Sequence, residues 1–175
     1  YMRGTSIYLA DRVVPMLPEA LSNGICSLNQ GEERLTLSVI MRIDKNGRVV
    51  DHRIAESVIK SSARMTYSAV TDILEGDNEK REKYAHLTDH IERMNELREL
   101  LNKQRKLRGS IDFNFDEARI VLDEQGKPVD IVKRERGVSN NIIEEFMLIA
   151  NETVAEHFYW LNIPFIYRVQ EEPNP

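Results

Sequence analysis

The feature that most constrains this chain is the alternation at residues 34–43. Leu35, Leu37, Val39, Met41 and Ile43 alternate with Thr36, Ser38 and Arg42. A period of two places the apolar set on one face of a strand and predicts that this face is buried. Asp44-Lys45-Asn46-Gly47 then supplies hairpin-turn chemistry, and residues 48–59 return as a second strand. Residues 118–122 and 128–132 repeat the design around Glu124-Gln125-Gly126-Lys127. Residues 3–10 and 165–169 read as further extended segments, the latter as a closing strand.

Between these strands the period changes. Residues 17–28 hold a short helix opened by Pro18 and followed by a turn at Asn23-Gly24. Residues 66–74 form a short helix ended by Glu75-Gly76-Asp77-Asn78. A long helix is expected over 80–107, where Tyr84, Leu87, Ile91, Met94, Leu97 and Leu101 recur at three- and four-residue spacing. Gly109 stops it after basic residues that suit the negative end of the helix dipole. A last helix runs over 139–161, with Ile143, Met147, Ala150, Val154, Phe158 and Leu161 as its predicted core stripe. Hairpins and helices without a strand–helix repeat predict an α+β fold: a mixed, largely antiparallel sheet with hairpins packed against several helices.

Composition narrows the function classes. The chain has 175 residues, 41% hydrophobic and 30% charged, a balance that supports a folded core. No apolar run is long enough to span a bilayer, and residues 1–6 hold no signal-peptide pattern. The single Cys26 cannot form an internal disulfide, which fits a reducing, cytoplasmic setting. The net charge of −5 argues mildly against nucleic-acid binding, but an average can hide a patch. Lys103, Arg105, Lys106 and Arg108 form one basic run, and Lys133, Arg134 and Arg136 another. Each is either a solvated helix end or loop, or a phosphate-contacting surface.

Phosphate-loop, paired-cysteine zinc and nucleophile-elbow motifs are absent from the sequence. His86 and His90 have the i, i+4 spacing of a metal pair but lack a nearby third ligand. Glu144 and Glu145 are adjacent on the last helix. With the predicted stripe facing the core, Glu145 projects to water beside Glu152, and Glu144 lies at the flank, restrained and partly desolvated. On pattern alone Glu144 is either a ligand-binding acid or a boundary residue with a salt-bridge partner. Ile111, Phe113 and Phe115 share one strand face, among Asp112, Asp116 and Glu117, as core or as functional rings. Tyr8 and Tyr67 are either base-stacking platforms or core tyrosines.

Longer blocks go further. Arg3-Gly4-Thr5-Ser6-Ile7-Tyr8-Leu9, Pro15-Met16-Leu17-Pro18 and Leu21-Ser22-Asn23-Gly24-Ile25-Cys26-Ser27-Leu28 open the chain. Ser57-Val58-Ile59-Lys60-Ser61-Ser62-Ala63-Arg64-Met65-Thr66-Tyr67 and Arg108-Gly109-Ser110-Ile111-Asp112-Phe113 follow. Then comes Ile142-Ile143-Glu144-Glu145-Phe146-Met147-Leu148-Ile149-Ala150-Asn151-Glu152-Thr153. In this order and spacing the chain resembles the catalytic RNB domain of the ribonuclease R and ribonuclease II family, and ribonuclease R more closely.

That resemblance implies part of a single RNB-type domain, spanning residues 1–175 and truncated at both ends. It implies a processive 3′-to-5′ exoribonuclease that hydrolyses single-stranded RNA to nucleoside 5′-monophosphates with Mg²⁺. Flanking oligonucleotide-binding domains of the parent chain are implied as partners. By resemblance Tyr8 and Phe113 (with Phe115 as the alternative register) stack on bases near the 3′ end, and Tyr67 helps select RNA there. Glu144 lies near the reacting end and its sugar. The family's aspartate cluster falls before residue 1 and its catalytic arginine after residue 175, so no metal ligand is expected within the chain, and the isolated chain is expected to be inactive. Asn141 departs from a family Arg or Lys beside Glu144, and Gln170 from a family His. A non-catalytic RNA-binding or scaffold domain of the same fold, and a helical interaction module built on residues 80–107, are the other readings.

Overall fold

The computed structural model describes residues 4–111, 117–134 and 137–169. Among these residues six strands pair as three antiparallel ribbons: β1 (Ile7–Tyr8) with β2 (Val13–Val14), β3 (Glu33–Ile43) with β4 (Val49–Lys60), and β5 (Glu117–Leu122) with β6 (Pro128–Arg134). Four α-helices accompany them: α1 (Tyr67–Glu75), α2 (Asn78–Lys83), α3 (Ala85–Leu107) and α4 (Val138–Trp160). The expected α+β class holds, with the strands in three separate ribbons.

The two longer hairpins use one turn design. Asp44 Oδ1 accepts from the amides of Asn46 and Arg48, both at 2.9 Å, and Gly47 takes a φ of +78°. Asp123 Oδ1 accepts from Gln125 and Lys127 at 2.8 and 2.9 Å, and Gly126 has a φ of +77°. The Asp side chain organises the turn, and the glycine supplies the left-handed residue that closes it. Each turn is followed by a register shift in its ladder. The first turn is docked on α3: a Cβ on Gly47 would lie 2.9 Å from Gln104 Cγ and 3.2 Å from the Leu100 carbonyl oxygen, whereas a Cβ on Gly126 would meet nothing within 4 Å among the described residues.

The alternation on β3 is only half realised. Near the turn Val39, Met41 and Ile43 are half-buried, as are His52 and Ile54 of β4. Farther out the covered face switches to Arg34, Thr36 and Ser38 with Ser57, and Leu35 and Leu37 are 88% and 79% exposed. Strand twist brings opposite faces of a long two-stranded ribbon under cover at its two ends. The outer covered face is held by hydroxyls, Ser57 Oγ lying 2.8 Å from Thr36 Oγ1 and 2.7 Å from Ser38 Oγ.

The buried apolar centre, Ile73, Ile91, Leu101 and Ile142, is contributed by α1, α3 and α4. Helix α1 starts where its sequence says it should. The Thr66 hydroxyl caps it by accepting from Ala69 N at 3.2 Å, and Gly76 ends it at φ +93°.

The long helix expected over 80–107 is broken at Tyr84, which leaves helical geometry (φ −112°, ψ 30°) and separates α2 from α3. The buried Thr88 hydroxyl donates to the Tyr84 carbonyl at 3.2 Å, a back-bond that bends helices. Residues 20–25 form a π-type helical turn with Cys26 N bonded to Leu21 O at 2.9 Å, so Asn23 and Gly24 lie within the turn rather than after it. Residues 165–169 form no strand. Phe165 instead stacks on Phe158 of α4, ring centroids 4.6 Å apart and planes 5° apart. No helix among the described residues is long and apolar enough to cross a membrane.

Candidate functional site

Tyr67 is positioned from two sides. Gln30 ties down the segment before it: its Oε1 accepts from Arg64 N at 3.1 Å and its Nε2 donates to Ser62 O at 3.1 Å. Thr66 then caps α1, which makes Tyr67 the first helical residue, 47% exposed. One turn on, Thr71 Oγ1 lies 2.9 Å from Ser139 Oγ in the first turn of α4. Gly137 permits this approach, since a Cβ there would lie 3.1 Å from Thr71 Oγ1. Asn140 completes the start of α4 by accepting from Gly137 N at 3.2 Å. The structure thus joins the helix carrying Tyr67 to the helix carrying Glu144. Tyr8 stands on the separate β1–β2 ribbon, its ring 79% exposed. Phe113, Phe115, Asp112, Asp116 and Gln170 lie outside the described residues.

The rotation of α4 differs from the sequence expectation. Ile142, Glu145 and Thr153 are buried, while Ile143 and Met147 are exposed. Glu145, expected in water, is 3% exposed, and Glu144, expected to be restrained at the flank, is exposed. The geometric argument for Glu144 is therefore overturned, and only the resemblance speaks for its role. Glu145 is buried because α3 supplies its partners. Its Oε1 accepts from Arg105 Nε at 2.9 Å and from Asn102 Nδ2 at 3.0 Å. A pattern that counts Glu as solvent-facing misses a buried carboxylate whose partners lie some forty residues away. The signal that could have found it is the other apolar register of α4, through Ile142, Phe146, Ile149 and Thr153.

The same contacts use up much of the first basic run. Arg105 Nη1 also donates to Ser110 Oγ at 2.7 Å. Arg108 holds Glu152 with both nitrogens of its fork, at 3.0 and 3.2 Å. Lys106 is likewise engaged. Two of the four cations therefore serve the α3–α4 seam first.

The structure also brings together two histidines that the sequence keeps apart. His52 Nε2 lies 2.9 Å from His157 Nδ1, so one ring donates and the other accepts. They border a cleft of about 780 Å³ between the β3–β4 turn and the ends of α3 and α4, lined also by Arg105, Arg108 and Trp160. Neither Tyr8, Tyr67 nor Glu144 lines it. His86 and His90 are exposed on α3, and the described residues hold no group of three His, Cys, Asp or Glu able to bind a metal.

Residues 1–175, the whole chain, match the RNB domain. The chain belongs to the RNB domain family. It is 53% identical over 174 residues to ribonuclease R 1 of Lactococcus lactis, covering 99% of this chain and 21% of that protein. It is 52% identical over 176 residues to ribonuclease R of Thermotoga maritima, covering 100% of this chain and 25% of that protein. The chain thus spans about a fifth to a quarter of the length of these relatives. The RNB fold superposes on Mycoplasma genitalium RNase R in complex with ribose-methylated single-stranded RNA with a TM-score of 0.86. That match has 33% identity and covers 97% of this chain and 26% of that one. It also superposes on yeast Ssd1, a pseudonuclease, with a TM-score of 0.62 and 20% identity, over 89% of this chain and 18% of that one. The fold alone therefore does not decide whether a chain that has it belongs to an active nuclease.

Proposed function

We propose that this RNB chain is part of a cytoplasmic, processive 3′-to-5′ exoribonuclease that hydrolyses single-stranded RNA with Mg²⁺ and releases nucleoside 5′-monophosphates. The observation that carries the reading is the match of the whole chain to the RNB domain, with relatives named ribonuclease R at 52–53% identity. In this reading flanking oligonucleotide-binding domains of the parent chain bring the RNA to the site.

Each residue has a physical task. Tyr8 and Phe113 hold the bases near the 3′ end by stacking, worth about 1–3 kcal/mol per base. The exposure of Tyr8 suits that use, since the ring keeps a face free for a ligand. Tyr67, held at the start of α1, selects the 3′-terminal nucleotide. Glu144 meets the sugar at the reacting end, and its exposed carboxylate leaves room for a hydroxyl to approach.

The described residues do not by themselves fit a Mg²⁺ ion, since no three candidate ligands among them converge. The metal would supply an activated water and charge stabilisation, and this reading assigns its aspartate ligands to a segment preceding residue 1 of the parent chain. The 175 residues alone are accordingly inactive.

The test is a variant series in the full-length protein. Tyr8→Ala and Phe113→Ala should each weaken binding of a single strand about 5- to 150-fold, and Glu144→Ala should slow nucleotide release without a matching loss of affinity. Unchanged affinity in both aromatic variants would overturn the assignment of the stacking residues.

A further inference from the structure

The cleft between the β3–β4 turn and the ends of α3 and α4 holds two histidines that the proposed chemistry does not use. They come from different elements, His52 from β4 and His157 from α4, 105 positions apart. His52 Nε2 and His157 Nδ1 face each other at 2.9 Å, with ring centroids 5.0 Å apart and planes at 83°. The crossed rings meet through their nitrogens rather than by stacking, so two lone-pair directions converge on one small region. Among the described residues neither outer nitrogen, Nδ1 of His52 or Nε2 of His157, makes a hydrogen bond. Nothing there fixes which ring carries the shared proton. Both rings are half-buried at the edge of a cleft of about 780 Å³, so an ion can reach them. The lining residues carry four carboxylates against three guanidinium groups, a balance that favours a cation. Glu156, beside His157 on α4, is exposed, and among the described residues only Trp160 Nε1 donates to it, at 3.5 Å.

We propose that His52 and His157 form a two-histidine site for a divalent transition-metal ion such as Zn²⁺, distinct from the Mg²⁺ of the proposed reaction. Imidazole nitrogens suit Zn²⁺, Ni²⁺ and Cu²⁺, whereas Mg²⁺ takes oxygen ligands. Two nitrogens at about 2.0–2.1 Å from a tetrahedral ion lie roughly 3.3 Å apart, so the pair has to open by only ~0.4 Å as each ring swings to aim at the ion. On binding, the shared proton moves by way of solvent to the outer nitrogen of its own ring. Both facing lone pairs then go to the metal, and no proton is released. Water fills the remaining positions, since no third side-chain ligand converges there among the described residues. Glu156 adds negative charge rather than a ligand atom. The ion replaces one hydrogen bond by two coordinate bonds and ties β4 to α4. The inference does not depend on the exoribonuclease reading.

The experiment titrates the full-length protein with Zn²⁺ by isothermal calorimetry in a large excess of Mg²⁺. His52→Gln and His157→Gln are the variants, because an amide keeps a donor and an acceptor between β4 and α4 while removing the imidazole ligand. The wild type should take up one equivalent of Zn²⁺ that each variant loses, and the double variant should lose no second one. Location is read from Trp160, the chain's single tryptophan, which borders the same cleft three residues after His157. Cu²⁺ should quench the part of the fluorescence that Trp160→Phe removes. Excess Zn²⁺ should reverse that quenching and Mg²⁺ should not, a readout that needs no histidine variant to fold. Zn²⁺ uptake that is absent from the wild type, or equal in the wild type and both variants, would overturn the inference. So would Trp160 fluorescence that Cu²⁺ leaves unchanged, or quenching that Mg²⁺ reverses.

Discussion

Two adjacent glutamates should respond to the same substitution in opposite ways. Glu145 is 3% exposed, and its Oε1 takes donors from both Arg105 and Asn102, with the Arg105 side chain itself only 19% exposed. Glu145→Ala takes from the half-buried Arg105 guanidinium and Asn102 amide the buried carboxylate they share, and breaking such a buried pair costs about 3–5 kcal/mol. Glu144 is exposed and its side chain makes no hydrogen bond or ion pair among the described residues, so Glu144→Ala should change stability by less than about 0.5 kcal/mol. Amide hydrogen exchange in the full-length protein reads this locally. At about 1.4 kcal/mol per tenfold, the protected amides of α3 and α4 should exchange roughly 10²- to 10³-fold faster in Glu145→Ala and at the wild-type rate in Glu144→Ala. Activity should divide the other way, with Glu144→Ala slowing nucleotide release in a protein that is fully folded. Equal exchange in the two variants would refute the assignment of Glu145 as the buried anchor of the α3–α4 seam.

The two turn glycines offer a matched pair. Gly126→Ala should cost about 1–2 kcal/mol for the left-handed backbone alone, and Gly47→Ala more, because its methyl also meets the Leu100 carbonyl at 3.2 Å; equal melting shifts would contradict the docking of that turn. Asp44 gives a pH dependence: the Arg48 amide that donates to it holds its carboxyl below the ordinary carboxylate range. A depressed folded value means that the contribution is present above the unfolded pKa of about 3.9 and is lost as pH falls through the folded value. The Arg48 amide shift should therefore titrate below pH 4 by NMR, and lose that titration in Asp44→Asn. Charge reversal at Lys103 should lower RNA affinity in the full-length protein if the run contacts phosphate, whereas reversal at Arg105 should unfold the seam first, so only the former reports on RNA.

Local chemistry made most elements legible. Thr66 and Gly76 bound α1, and the Asp-x-x-Gly turns close both long hairpins, because these signals act within four residues. What escaped depends on distant partners. The phase of α4 is ambiguous because Ile142 and Ile143 are both apolar, and the choice is made by Arg105 and Asn102 of α3. The outer half of β3 keeps its alternation but covers the polar face, a consequence of ribbon twist that no local period encodes. The break at Tyr84 interrupts an apolar stripe that runs on unbroken in the sequence. For the proposed site, the choice of Tyr8, Tyr67 and Glu144 rests on the family motifs, while the Thr71–Ser139 and Glu145–Arg105–Ser110 links, absent from any local pattern, join residues up to 68 positions apart.

The most direct test of the central claim is decay of a 5′-labelled single-stranded RNA by the full-length protein, with Mg²⁺ present or chelated, beside residues 1–175 alone. The account predicts progressive shortening from the 3′ end that requires the metal, and no shortening by the 175-residue chain. RNA that is bound by the full-length protein but left intact in Mg²⁺ would contradict it, and would make this RNB chain a binding scaffold rather than part of a nuclease.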